Sequence, residues 1–166
     1  MESFSDAMKA YQQQLKQGAI QKAYRGLMDY MLALRAHFKN ACPEYPAPGG
    51  LYLGYMDMTY FSINPPGLKD RGLKIAIVFL HEVFRFEVWL SGYNRQIQAR
   101  CWQMLKDRGW KAYRLVADPQ SMDAIVEHIL VSDPDFSDLD ALTRQIEVET
   151  LRFIAAIEQF LAQNPG

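Results

Sequence analysis

Two carboxylates and a group of cations stand where an ordinary apolar core offers them little. Asp57 lies between Met56 and Met58 in the aromatic run GYMDMTYF, and Glu87 lies in the segment FRFEVWL at 84–90. In that segment Phe86, Val88 and Leu90 alternate with Arg85, Glu87 and Trp89, so the period-two geometry of a strand sends the charged set to one face. A buried carboxylate must find a cation, hydrogen bonds or a metal, because leaving it unpaired costs roughly several kcal/mol or forces protonation. Arg85 or Lys74 can supply the charge, His81 is a further titratable group, and Trp89 and Tyr60 can wall a pocket. Just beyond, Ser91-Gly92-Tyr93-Asn94-Arg95 opens a helix whose free N–H groups, with Asn94 and Arg95, suit an anionic ligand. Capping of that helix by Ser91 is the simpler reading of the same residues. The candidate ligand-binding set is therefore Asp57, Tyr60, Lys74, His81, Arg85, Glu87, Trp89, Asn94 and Arg95. The competing account is an internal ion-pair network with no ligand. No catalytic residue, metal ligand or cofactor is assigned.

These residues need elements to position them. Residues 73–98, LKIAIVFLHEVFRFEVWLSGYNRQIQ, read as a strand at 73–80, a tight reversal at His81-Glu82-Val83-Phe84, a second strand at 84–90 and the start of a helix. The run at 51–63 reads as another strand, apolar on both faces and so covered on both, with Gly54 marking a bulge or close approach. Pairing beside the hairpin would bring Asp57 into range of Glu87. Ahead of it, Ser3 and Asp6 have capping-box spacing for a helix at 5–17, and the stripe Ile20, Tyr24, Leu27, Met31, Leu34, Phe38 marks a second helix. Pro43, Pro46, Pro48 and Gly49-Gly50 end it.

After the hairpin, a helix at 93–107 carries the stripe Ile97, Cys101, Met104, Leu105, and 112–116 is a short strand. Asp118-Pro119 reads as a cap with proline in the first turn, leading a helix with Met122, Ile125, Val126, Ile129 and Leu130 on its apolar side. A last helix at 138–163 would be roughly 35–40 Å long. Its stripe Leu142, Ile146, Phe153, Ile157, Phe160 serves either internal packing or a homodimer contact. The expected fold is α+β: a mainly antiparallel three- to four-stranded sheet, two N-terminal helices, one helix after the hairpin and two C-terminal helices, in the order α-α-β-β-β-α-β-α-α.

The bulk numbers agree with one globular unit spanning 1–166. Hydrophobic residues make up 49% and charged residues 22%, which is ordinary for a folded domain of 166 residues. A net charge of -1 gives no electrostatic footprint for nucleic acid, so such a partner is not favoured. The polar start MESFSDAMKAYQQQ and the lack of any long apolar window point to a cytoplasmic protein without a membrane partner, while the candidate set above points to a small polar or anionic ligand. Cys42 and Cys101 lack CxxC spacing and are expected to stay reduced. His81-Glu82 does not continue as HExxH, and the aspartates at 133, 135, 138 and 140 lack the glycine and glutamate of a calcium loop.

The stretches IQKAYRGLMDYM, GYMDMTYF, LKIAIVFLHE, FRFEVWLSGYN and HILVSDPDFSDLDALTRQIE resemble an uncharacterised bacterial family, a domain of unknown function of about this length. That resemblance covers nearly the whole chain and implies a single-domain cytosolic bacterial protein. The order α-β-β-β-α-β over residues 20–116 is also similar to that of the restriction-endonuclease-like fold, whose enzymes hold magnesium with an acid on the second strand and E-x-K on the third. Glu87 matches the third-strand acid, but Trp89 stands in place of the lysine, and the second strand carries Lys74 rather than an acid. What this second likeness implies is a Mg²⁺-dependent nuclease-like enzyme, degenerate in its motif, as the alternative to a non-enzymatic binding or interaction domain.

Overall fold

In the computed structural model, which describes residues 1–165, the strands β1 (Met58–Ile63), β2 (Leu73–Leu80) and β3 (Arg85–Gly92) form an antiparallel meander. Two further strands, β4 (Arg114–Leu115) and β5 (Val126–Ser132), extend it on the β3 side, giving a five-stranded antiparallel sheet in the order β1-β2-β3-β5-β4. The helices among the described residues are α1 (Phe4–Gln17), α2 (Ala19–Ala41), the single turn α3 (Pro66–Lys69), α4 (Arg95–Asp107) and α5 (Leu139–Gln163). The α+β class and the antiparallel character are as the sequence predicts.

Alternation sets the two faces of the sheet. Ile75, Ile77 and Phe79 on β2, Phe86, Val88 and Leu90 on β3, and Phe61 and Ile63 on β1 are fully buried and join one core cluster with α2, α4 and α5. Met31, Leu34 and Phe38 supply the α2 side of that core, and Leu142, Ile146, Phe153, Ile154 and Ile157 the α5 side. The α5 stripe is therefore spent on packing inside the chain. Two polar contacts tie the helices together: His37 to Glu147 at 2.6 Å, and Tyr30 to Thr143 at 3.0 Å. The opposite face of the sheet carries no helix. It presents Tyr60, Lys74, Ala76, Arg85, Glu87, Trp89 and Ile129, by the strand register.

Three expectations are corrected. The sheet has five strands, not three or four. The second is that residues after Asp118-Pro119 do not form a helix: the chain turns through 118–124 and then runs as β5 against β3. The register shifts between Phe86↔Val131 and Glu87↔Ile129, leaving Leu130 as an extra residue. Such a bulge lets consecutive residues face the same side. Leu130 and Val131 are both buried, and the broken alternation Val126, Leu130, Val131 imitates helical spacing. The third concerns 51–63, of which only Met58–Ile63 is regular strand; it is an edge strand with one face in the core, and the preceding residues fold back to a single bridge between Tyr52 and Tyr60.

The two faces make a quantitative contrast. Phe79 is fully buried and packs against Phe84, Phe86 and Phe136, so Phe79→Ala is expected to lower the unfolding free energy by about 3–5 kcal/mol. Ile129→Thr, on the helix-free face, is expected to change it by under about 0.5 kcal/mol. Urea unfolding of both variants measures the difference, and equal losses would contradict the assignment of faces.

Candidate functional site

Glu87 is 3% exposed on the helix-free face, and both its oxygens are satisfied by neighbours on its own strand. Arg85 Nε donates to Oε2 at 2.6 Å, and the Trp89 indole N–H donates to Oε1 at 2.9 Å. Residues two apart on a strand share a face, so the local sequence R-x-E-x-W is enough to build this triad once the strand forms. Its result is a fixed indole. Neighbouring β5 adds Glu127, whose carboxyl is pushed up by burial and by the charge of Glu87, while Arg114 at 3.4 Å opposes the shift.

Trp89 lines a cavity of about 460 Å³ at the end of this face nearest α4. Tyr60 and Tyr52 form another wall, their rings 4.9 Å apart, and Ala76, Ser91 and Gly92 belong to the floor. Lys74 also lines the cavity and makes no ion pair among the described residues. The α4 end is held by side chains. Asn94, not Ser91, caps the helix by accepting the Ile97 N–H at 2.8 Å. Gln98 is 4% exposed; its Oε1 accepts the Gly92 N–H, and its Nε2 donates to the carbonyls of Pro119 and Met122. Ser91 donates to the Asp123 carbonyl, and Arg95 binds the Met122 carbonyl and the Asp123 carboxylate. The 118–124 turn is thereby fastened over the end of β3 and becomes the far rim of the cavity.

Tyr52 is held in place by the other loop. Gly54 has φ +74°, and a Cβ there would run into the Met58 carbonyl oxygen, so only glycine fits the turn. Asp57 accepts the Tyr55 N–H at 2.8 Å, and this bond, with a second from Met58, holds its carboxyl below the usual range. The Thr59 hydroxyl donates to the Leu53 carbonyl at 2.7 Å. Its single proton being used there, His81 Nε2 must carry the hydrogen of their 2.8 Å contact. Burial depresses the His81 pKa, with the Asp57 charge acting in the opposite sense.

The candidate residues thus divide. Tyr60, Lys74, Trp89, Asn94 and Arg95 line the cavity, whereas Asp57 and His81 brace the loop that carries Tyr52, and Arg85 and Glu87 fix Trp89 from outside. Asp57 is exposed in a turn rather than covered in a strand. By register it lies two strands and three residues from Glu87, roughly 14 Å away, so the two carboxylates do not form a metal pair. Gln98, Tyr52, Ser91 and Asp123 were not singled out as ligand-binding candidates. In the sequence, Ser91 reads as a helix cap and Gln98 follows Asn94 by one turn; Tyr52 and Asp123 depend on chain segments that meet through the fold.

The architecture defines a class: an antiparallel sheet with helices on one face and an aromatic-walled polar cavity on the other. Residues 4–161 match the family described as a domain of unknown function, DUF7000, and the chain belongs to that family. No curated protein and no solved structure matches the chain. No helix among the described residues is long and apolar enough to cross a membrane.

Two measurements probe the braces. Arg85→Met leaves Glu87 buried without its cation and is expected to cost about 3–5 kcal/mol, whereas Glu87→Gln leaves behind a guanidinium one-third exposed and costs less. Equal losses in denaturant unfolding would contradict the ion-pair account. For His81, a folded-state pKa below the unfolded value of about 6.5 means that the unfolded chain binds the proton first. Its contribution is complete above that pH and declines as pH falls below it. His81→Asn is expected to flatten this part of the stability profile between about pH 7.5 and 5.5, and an unchanged slope would contradict a half-buried imidazole with a depressed pKa.

Proposed function

We propose that this protein is a non-enzymatic binding domain whose open-face cavity takes a small anionic molecule bearing a flat ring. The observation that carries the reading is the pairing, in one cavity of about 460 Å³, of an indole fixed by its own strand with a lysine that makes no ion pair among the described residues. The size suits a small ligand. Trp89, Tyr60 and Tyr52 offer ring faces and edges for stacking. Lys74 supplies the charge for a carboxylate or phosphate, with Arg95 at the rim already engaged by Asp123. Anion recognition is therefore assigned first to Lys74.

The cavity is braced on each side by hydrogen bonds that do not need a ligand. This favours a preformed pocket, which spares the ordering cost of binding. Glu87 belongs to the bracing, since both oxygens already accept hydrogen bonds. The carboxylate that lines the cavity, Asp123, is paired with Arg95 at 3.1 Å.

The test is a thermal-shift series with benzoate, indole-3-acetate, AMP and adenosine at millimolar concentration. At least one anionic ring compound is expected to raise the Tm, and adenosine to raise it less than AMP. A ligand at 100 times its Kd adds about 2.7 kcal/mol to stability. Lys74→Met and Tyr60→Leu, both at part-exposed positions, are expected to fold and to lose most of the shift. No shift with any anionic compound, or equal shifts in wild type and both variants, would overturn the reading.

A further inference from the structure

The most conspicuous unpartnered element is α1. Its sequence is amphipathic, with Phe4, Met8, Tyr11 and Leu15 on one stripe, yet none of its residues is buried, and Phe4 is 81% and Tyr11 53% exposed. An isolated fourteen-residue helix is marginal in water even with a good cap, so its apolar face calls for a cover. A second apolar surface lies elsewhere on the same chain. Between α2, the β2–β3 turn and the start of α5 runs a groove of about 700 Å³, lined by Ile20, Tyr24, Met56, Phe84, Phe136 and Leu139 among others. Ile20, Met56, Phe84 and Leu139 are each more than 40% exposed.

The helix cannot close on its own groove. Only Gly18 separates α1 from α2, and it serves both as the left-handed C-cap of one and as the N-cap of the other. Antiparallel helix pairs need connections of about 2–5 residues. The groove begins at Ala19 and runs along α2, so an α1 from the same chain would have to reverse within one residue. At the α5 end of the groove the charges favour a match in trans, although Lys22 adds one positive charge on its α2 side. Lys9 and Lys16 flank the α1 stripe, and the segment 133–140 that carries Phe136 and Leu139 also carries Asp133, Asp135, Asp138 and Asp140, all exposed. The area suffices as well: a helix about 21 Å long and 10 Å wide, docked twice across a two-fold axis, buries on the order of 1,200 Å², the lower bound for a stable pair.

We infer that the chain forms a two-fold dimer in which α1 of each copy lies in the groove between α2, the β2–β3 turn and α5 of the other. The contact is reciprocal, as an isologous pair requires. It engages a surface separate from the Trp89 cavity, so it stands or falls independently of the ligand reading.

Sedimentation equilibrium of the full chain tests it. A dimer is expected at micromolar concentration. Met8→Glu on α1 should raise its Kd roughly 30-fold or more, as a charge in a helix-in-groove contact would. On the groove side, Phe84→Asn suits the left-handed φ of 53° at that position, and Leu139→Glu starts α5 with an acid. Both should weaken the dimer by a similar factor while circular dichroism keeps the wild-type helix content. A monomer at all concentrations up to about 100 µM, far above a Kd of about 1 µM, would overturn the inference. So would a dimer broken by Met8→Glu but untouched by both groove variants, which would mean α1 paired with α1.

Discussion

Glu87 can be buried on the helix-free face because Arg85 and Trp89, each two residues away on the same strand, saturate its two oxygens. Without those donors the carboxylate would have to take up a proton or pull β3 toward water, and β3 is the strand on which β2 and β5 both pair. With them, the strand presents Phe86, Val88 and Leu90 to the core and a satisfied polar set to the other side. The remaining architecture follows from that division. α2, α4 and α5 share one core, and the opposite face is left to side chains, which is why a cavity can exist there.

The cavity rims are built by different means. On the β1 side a short loop holds Tyr52 over Tyr60 through a glycine turn, a carboxylate accepting backbone N–H groups and the Thr59–His81 contact. Across from it, Gln98, Ser91 and Arg95 grip the carbonyls of the 118–124 turn. Both devices satisfy backbone groups that irregular chain would otherwise leave to solvent. The same polar residues that look like ligand donors in a sequence are largely consumed by this work. Among the described residues Lys74 is the cavity cation left without a carboxylate partner, which narrows chemical interest to one side chain and three aromatic rings.

Of the α+β fold, a good deal was legible in the chain. The capping box of α1, the stripe of α2, the hairpin with its reversal at 81–84 and the long α5 opening beside Asp138 all appear close to their expected bounds. Each of these signals is local: a cap and its first turn, or a period of 3.6 or 2, needs no distant partner to be read. The alternation of β3 also places Arg85, Glu87 and Trp89 on one face, whichever strands pair beside it.

What lay beyond the sequence depends on contacts between distant segments. Residues 126–132 carry an apolar spacing compatible with a helix, and only pairing with β3, with Leu130 as a bulge, makes them a strand and extends the sheet to five. Asp57 sits in a run that alternates like a strand, but the Tyr52–Tyr60 bridge folds that run back and turns the carboxylate into a loop brace. Gln98 becomes central because Pro119 and Met122 meet it through space. The sequence by itself determined which residues share a strand or helix face, since that is geometry within one element. Tertiary structure alone decided which faces meet and which polar atoms are already satisfied, because a hydrogen bond across the fold leaves no periodicity in the chain.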